Sequence, residues 1–131
     1  MRISRSTGYA LLAVGYIAKN QEEKGIILSQ AVSKQYNIPL EYLLKILQQL
    51  VRANVLRSKR GPRGGFRLGR PIKKISMLAI IEAVDGPLVS QLDLSENTAK
   101  TKYGTKCEQV YEKAIAQARL VFDRCKIADL L

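Results

Sequence analysis

The side chains best equipped for chemistry in this chain are its cations. The forty residues from Tyr42 to Ile81 contain Lys45, Arg52, Arg57, Lys59, Arg60, Arg63, Arg67, Arg70, Lys73 and Lys74, and not one Asp or Glu. Residues 1–41 carry a net +2 and residues 82–131 a net −1, so nearly all of the chain's +11 lies in that block. Charge gathered this way, with a pI near 9.9, points to a polyanionic partner, nucleic acid or an anionic membrane surface. Other reactive groups are few. Histidine is absent, which removes the commonest general base and the commonest nitrogen ligand for a metal. Cys107 and Cys125 are the only thiols, too few for a secreted disulfide framework and expected to stay reduced. No Ser or Cys stands beside a candidate base, and there is no phosphate loop or paired carboxylate face, so the chain is expected not to be an enzyme. No run approaches the ~18 apolar residues of a membrane span, and the N-terminus has no signal-peptide core. A cytoplasmic protein without membrane contact is expected.

The cations need a frame, and local sequence supplies one. Arg60-Gly61-Pro62-Arg63-Gly64-Gly65-Phe66 reads as a tight turn, preceded by Val55-Leu56 and followed by the alternating Phe66-Arg67-Leu68. That is a β-hairpin with an arginine-tipped loop. Residues 39–53 form an amphipathic helix, with Leu43, Ile46, Leu47 and Leu50 on one face and Glu41, Lys45, Gln48, Gln49 and Arg52 opposite. Ahead of it, Ser33, Asn37, Leu43 and Ile46 match a helix-turn-helix: a small residue where helices cross, an αL-tolerant one four later, then apolar anchors. Pro39 suits the helix start, where its missing N–H costs nothing.

The predicted fold class is mainly α with a small β-hairpin wing, a winged helix-turn-helix domain plus a long C-terminal helix. Such a domain places its helix in the major groove of double-stranded DNA and its wing on the backbone or in the minor groove. Leu40, Glu41, Tyr42 and Lys45, nearest the helix N-terminus, are the candidates for base edges. Gln48 and Gln49 suit adenine, and Arg52 suits phosphate. Lys59, Arg60, Arg63 and Arg67 are the candidate wing contacts. The alternative for Glu41 and Lys45 is an ordinary exposed i, i+4 ion pair.

Around this core the chain predicts a first helix capped by Ser4, with an apolar face of Tyr9, Leu12, Ala13, Tyr16 and Ile17, ending near Lys19-Asn20 before a solvated loop at 21–25. Ile26-Ile27-Leu28 suits either an edge strand beside the wing or a buried turn. Ser29 is expected to cap a second helix from Gln30 to Tyr36, and Ser76 a fourth, stopped by Asp85-Gly86-Pro87. Domain boundaries follow: residues 1–87 for the DNA-binding unit, 88–105 for a polar loop long enough to be functional or mobile, and 106–131 for a dimerisation helix and tail. In that helix Cys107, Tyr111, Ala114, Ala118, Val121 and Cys125 step by 4, 3, 4, 3, 4, a coiled-coil seam flanked by Val110 and Phe122. A second copy of the chain is the economical partner, giving a homodimer. The apolar tail at 127–131 is expected to fold back, for example onto the first helix. Eighteen residues of helix, about 27 Å, keep the cysteines apart within one chain. In an antiparallel pair crossing near Ala116, Cys107 of one chain would face Cys125 of the other, a possible redox or metal site; both also suit the role of small buried hydrophobes.

Ile3-Ser4 with Tyr9-Ala10-Leu11, Tyr42-Leu43-Leu44-Lys45-Ile46-Leu47, the wing at 60–66, Ile81-Glu82-Ala83-Val84-Asp85-Gly86-Pro87 and Ile127-Ala128-Asp129-Leu130 together resemble the Rrf2 family of bacterial winged helix-turn-helix regulators, which includes IscR-, NsrR- and CymR-like members. The resemblance spans nearly the whole chain and implies a homodimeric, operator-binding transcription regulator. It also exposes a departure. Iron–sulfur members place three cysteines, commonly with a histidine, in the region matching residues 88–110, where this chain keeps only Cys107. No cofactor is therefore expected, an iron–sulfur cluster bridging four thiolates of a dimer being the exception. The signal is left among thiol redox, a small molecule near the 88–105 loop and a protein effector, with a non-sensing architectural DNA binder as the alternative. Leu44 and Lys45 stand where cluster-sensing members often carry Glu-Gln, so their operator does not carry over.

Overall fold

The computed structural model describes residues 2–59, 64–94 and 101–131. Its helices are α1 (Arg5–Lys24), α2 (Ser29–Tyr36), α3 (Leu40–Arg52), α4 (Met77–Asp85) and α5 (Lys102–Arg124), and its strands are β1 (Ile27–Leu28), β2 (Leu56–Lys59) and β3 (Gly65–Leu68). Short 3₁₀ turns occupy Ile72–Lys74 and Ile127–Leu130. The architecture is the predicted one, helices around a three-stranded antiparallel wing sheet of order β1-β3-β2.

α1 runs through the middle of the domain and meets α3, α4 and the sheet. Its buried residues are Thr7, Ala10, Ala13, Val14 and Ile17, mostly small, because close approach on several sides leaves little room. This corrects the apolar face expected from periodicity: Leu12 is 42% exposed, and Tyr9 and Tyr16 flank the core half-buried. The helix also runs on through residues 21–24, expected as loop, because Gln, Glu and Lys are good helix formers. It stops at Gly25 (φ 76°), whose N–H donates to the Gln21 carbonyl at 2.8 Å.

Both ends of the domain are tied by caps. Ser4 Oγ accepts from Thr7 N–H at 3.1 Å and donates to Asp85 Oδ1 at 2.5 Å, while Ser4 N–H donates to Asp85 Oδ2 at 3.1 Å. The start of α1 is thus fastened to the end of α4. Burial pushes the Asp85 carboxyl up, but hydrogen bonds from Ser4 and Thr7 outweigh it and hold the group below its ordinary 3.8. Ser76 Oγ caps α4 by accepting from Ala79 N–H at 3.0 Å, as its sequence position suggested. Ser29 does not cap α2. It is the first helical residue and buried, and the cap position falls to Leu28 without a side-chain bond.

The helix turn has the expected chemistry. Asn37 adopts the left-handed conformation (φ 54°, ψ 48°). Ser33 contributes more than small size: its carbonyl accepts from Ile38 N–H at 3.0 Å, and its Oγ donates to the Ile38 carbonyl at 2.6 Å. This fixes the angle at which α3 leaves α2. The core joins Leu43, Leu47 and Leu50 of α3 to Ile17 of α1, Phe66 of β3 and Ile80 of α4, each at most 1% exposed. Full burial of such a side chain contributes roughly 1.5–3 kcal/mol.

In the sheet, β1 pairs with β3 (Ile27 opposite Phe66), so Ile27–Leu28 is the edge strand rather than the buried turn. β2 and β3 pair Leu56 with Leu68, Arg57 with Arg67, Ser58 with Phe66 and Lys59 with Gly65. A Cβ at Gly65 would lie 1.7 Å from Ile26 Cγ2, so any larger residue there would force the Ile26 side chain to move.

The C-terminal part departs further from expectation. α5 begins at Lys102, capped by Thr101 Oγ1 accepting from Gly104 N–H at 3.1 Å, not at Lys106. It presents two apolar faces where one seam was expected. Ile115, absent from that seam, is buried, and with Tyr111 it lines a cleft shared with Ile81 and Pro87. Arg119 pairs with Glu82 of α4 at 3.2 Å. The opposite side exposes Tyr103 (78%), Val110 (71%) and Val121 (65%). Cys125 lies just past the helix, its carbonyl accepting from Met77 N–H at 2.8 Å, rather than well inside it. Beyond it Ile127 enters the core and Leu131 reaches Gly15, so the tail folds back onto α1 as expected. No helix among the described residues is long and apolar enough to cross a membrane.

Candidate nucleic-acid interface

The outer side of α3 is where the expected contacts meet. Tyr42, Lys45, Gln48, Gln49 and Arg52 line one shallow groove of about 340 Å³ with Ser6 of α1, and no carboxylate is among the described residues that line it. Lys45 and Arg52 are exposed, and Gln48 and Gln49 are half-buried at the groove floor. Leu40 is half-buried at the first turn, while Glu41, exposed beside it, has an interaction of its own. Leu44, left off the packing face by the helical wheel, is buried at 5% exposure. The helix therefore anchors through five apolar residues, Leu43, Leu44, Ile46, Leu47 and Leu50, one more than the sequence suggested.

Tyr42 is positioned by α1. Its hydroxyl shares a hydrogen bond with Ser6 Oγ, and its ring meets Tyr9 edge-on at 5.8 Å and 87°. It remains 40% exposed toward the groove. Ser6 is the groove residue that sequence reasoning missed; it borders α3 only through the crossing of two helices 36 residues apart, which no local pattern announces.

The wing divides its arginines. Lys59 is exposed at the end of β2, next to the tip; Arg60 and Arg63 lie outside the described residues. Arg67 does not join the α3 groove. It faces Arg57 across the hairpin and lines a separate cleft with Arg70 and the second half of α1.

A helix-turn-helix closed by Asn37 and Ser33, a three-stranded wing and a cationic α3 groove together specify a type of domain, and comparison with known proteins decides the family. The family model described as "Rrf2: Iron-dependent Transcriptional regulator" matches residues 3–131. The chain belongs to the Rrf2 family. Among curated Rrf2 relatives, the transcriptional regulator IscR of Cereibacter sphaeroides is 37% identical over 86 residues, 65% of this chain and 56% of that protein. The chain spans little more than half the length of the curated relatives it first matches. Among solved structures, the Bacillus subtilis global cysteine regulator CymR superposes with a TM-score of 0.82 at 22% identity, covering 99% of this chain and 95% of that one. The oxidized form of Staphylococcus aureus CymR gives 0.75 at 28% identity, covering 97% and 93%.

The Rrf2 model's iron prompts a test of the thiols. Cys107 sits half-buried in an apolar patch with Leu92, Tyr103, Val110, Tyr111 and Ala114. Cys125 is half-buried at the far end of α5. Among the described residues no three His, Cys, Asp or Glu side chains converge on a point where a metal could sit. Among the described residues, the donors of one chain do not fit an iron–sulfur cluster.

Proposed function

We propose that this Rrf2 protein binds double-stranded operator DNA as a homodimeric transcription regulator, with α3 reading the major groove and the wing gripping the backbone. The observation that carries this reading is the α3 groove, where Lys45, Gln48, Gln49 and Arg52 stand side by side on a helix anchored by five buried apolar residues, with no carboxylate among the described residues that line it. Lys or Arg can pair with guanine and Gln with adenine, and each good bidentate contact discriminates by about 1–3 kcal/mol. Lys59 with Arg60 and Arg63 at the wing supplies sequence-independent grip. A cytoplasmic location follows from that role.

Dimerisation is supported by the outward face of α5, where Tyr103, Val110 and Val121 are exposed along one side. Two copies joined there would present two α3 helices to two half-sites. The regulator works without the iron–sulfur cluster of related sensors. Cys107 and Cys125, facing each other across an antiparallel dimer, would make a thiol pair able to report oxidation. Cys107→Ser and Cys125→Ser on non-reducing electrophoresis after mild oxidant test the pair: a covalent dimer in the parent, lost in either variant, supports it, and a covalent dimer that survives Cys125→Ser refutes it.

DNA reading is tested by binding to a selected duplex and to a random one. Lys45→Ala or Gln48→Ala should weaken the selected site by about 1–3 kcal/mol and the random one much less. Equal losses on both would demote these residues to backbone contacts. Arg63→Ala should weaken both equally, with a shallower salt dependence.

A further inference from the structure

We infer that the cleft between the outer face of the wing and the second half of α1 is a binding site for a small, multiply charged oxyanion, a phosphate- or carboxylate-bearing molecule distinct from the DNA. The inference rests on a local rule that the structure breaks. Arg57 and Arg67 are direct cross-strand partners in the β2–β3 register, so two guanidiniums share one face at neighbouring positions. Like charges placed this way destabilise a hairpin, and among the described residues neither guanidinium has an ion pair or side-chain hydrogen bond to relieve it. Conflicts of this kind collect at functional sites.

A third guanidinium completes the set. Arg70 lines the same cleft and is held by its Nε, which donates to the Asn54 carbonyl at 3.2 Å. The cleft is concave, about 540 Å³, within the range of small-molecule sites. Its walls suit a compact ligand better than a strand of DNA. Leu68, Ile72 and Leu131 give it an apolar side, and Glu22 of α1 sets a carboxylate at its border that a continuous polyanion would have to pass. It is also remote from the α3 groove: Ser6 borders that groove and Gln21 borders this cleft, fifteen residues or about 22 Å apart along α1. A bound oxyanion would bridge Arg57 and Arg67 with the bidentate geometry that guanidiniums favour, converting repulsion into two charge-assisted contacts. Gln21 Oε1 already accepts from Leu68 N–H at 2.9 Å, so the ligand would sit where α1 and the wing are joined.

The test uses the full chain, inorganic pyrophosphate as probe and no DNA. Titration calorimetry at constant ionic strength should give saturable binding, weakened about tenfold by Arg57→Gln or Arg67→Gln and unchanged by Lys113→Gln on the exposed side of α5. Thermal melting guards against misfolding. In chloride buffer each arginine variant should melt no lower than the parent, because the opposed charges are gone, and should lose the rise in melting temperature that pyrophosphate gives the parent. Unsaturable binding, binding indifferent to both variants, or arginine variants that melt lower in chloride would overturn the inference. So would absent pyrophosphate binding together with an equal loss of affinity for every duplex, which would make Arg57 and Arg67 contacts to the DNA backbone.

Discussion

α3 with the wing and α5 are built on opposite plans. The first is cationic, with Glu41 the one carboxylate of α3 and none from Tyr42 to Ile81, and its apolar residues are nearly all spent inside one core: Leu43, Leu44, Ile46, Leu47 and Leu50 are all buried at 5% exposure or less. α5 mixes both charges and divides its apolar residues, Ile115 turning inward onto α4 while Val110 and Val121 remain at the surface. A helix whose apolar residues are buried and whose polar side carries Lys45, Arg52 and two glutamines is finished as a protein element and incomplete only toward a polyanion. A helix with a spare apolar face is incomplete toward another protein.

The comparison breaks most severely if the shared core fails. Phe66→Ala removes the ring, 1% exposed, by which β3 meets the core, and should cost about 3–5 kcal/mol in denaturant unfolding. A loss under 1 kcal/mol would mean that the wing is not packed as described. Val110→Glu with Val121→Glu places charges on the outward face of α5 and should turn a dimer into monomers in sedimentation while circular dichroism stays unchanged, since unpaired buried charge costs several kcal/mol at an interface. An unaltered assembly would move the interface elsewhere. Gly69→Ala would set a Cβ 2.6 Å from the Asn54 carbonyl oxygen and 3.0 Å from that of Leu56, backbone that cannot swing aside, and should destabilise the wing by about 1–3 kcal/mol. A parent-like midpoint would contradict that packing. The smallest effect is at acid pH. Asp85 is held below 3.8 in the fold, so its contribution to stability is complete above that value and declines as pH falls through its lower folded value. Asp85→Asn should flatten this decline in melting temperature below pH 4, and an unchanged acid slope would free Asp85 of the role.

The two regions also differ in how much of them the sequence discloses. The helix-turn-helix, the wing and the start of α4 were legible because their signals are local: Asn37 at a left-handed turn, glycines at a hairpin, Ser76 at a cap. α1 was misjudged for a physical reason. Periodicity ranks Leu12 above Ala10 as a core residue, but a central helix crowded by α3, α4 and the sheet buries its small side. α5 was misjudged because a 3-4 spacing identifies an apolar stripe without saying which neighbour covers it, and Ile115 fell outside the stripe chosen. In the candidate groove, Lys45, Gln48, Gln49 and Arg52 were readable from one helical wheel, which left Leu44 off the buried face and put Glu41 beside residues whose groove it does not line. Ser6, and the separation of Arg67 from the α3 groove, depend on tertiary contacts and sheet register that no single element encodes.

The most direct test of the central claim is the salt dependence of duplex binding, followed by fluorescence anisotropy for the parent chain and for Lys45→Ala with Arg52→Ala. Each phosphate neutralised contributes about −0.9 to the slope of log K against log salt. The parent should bind with a steep negative slope, and the double variant should bind more weakly with a slope shallower by one to two such increments. Binding indifferent to salt, or a slope the double variant leaves unchanged, would contradict the assignment of the α3 groove to DNA.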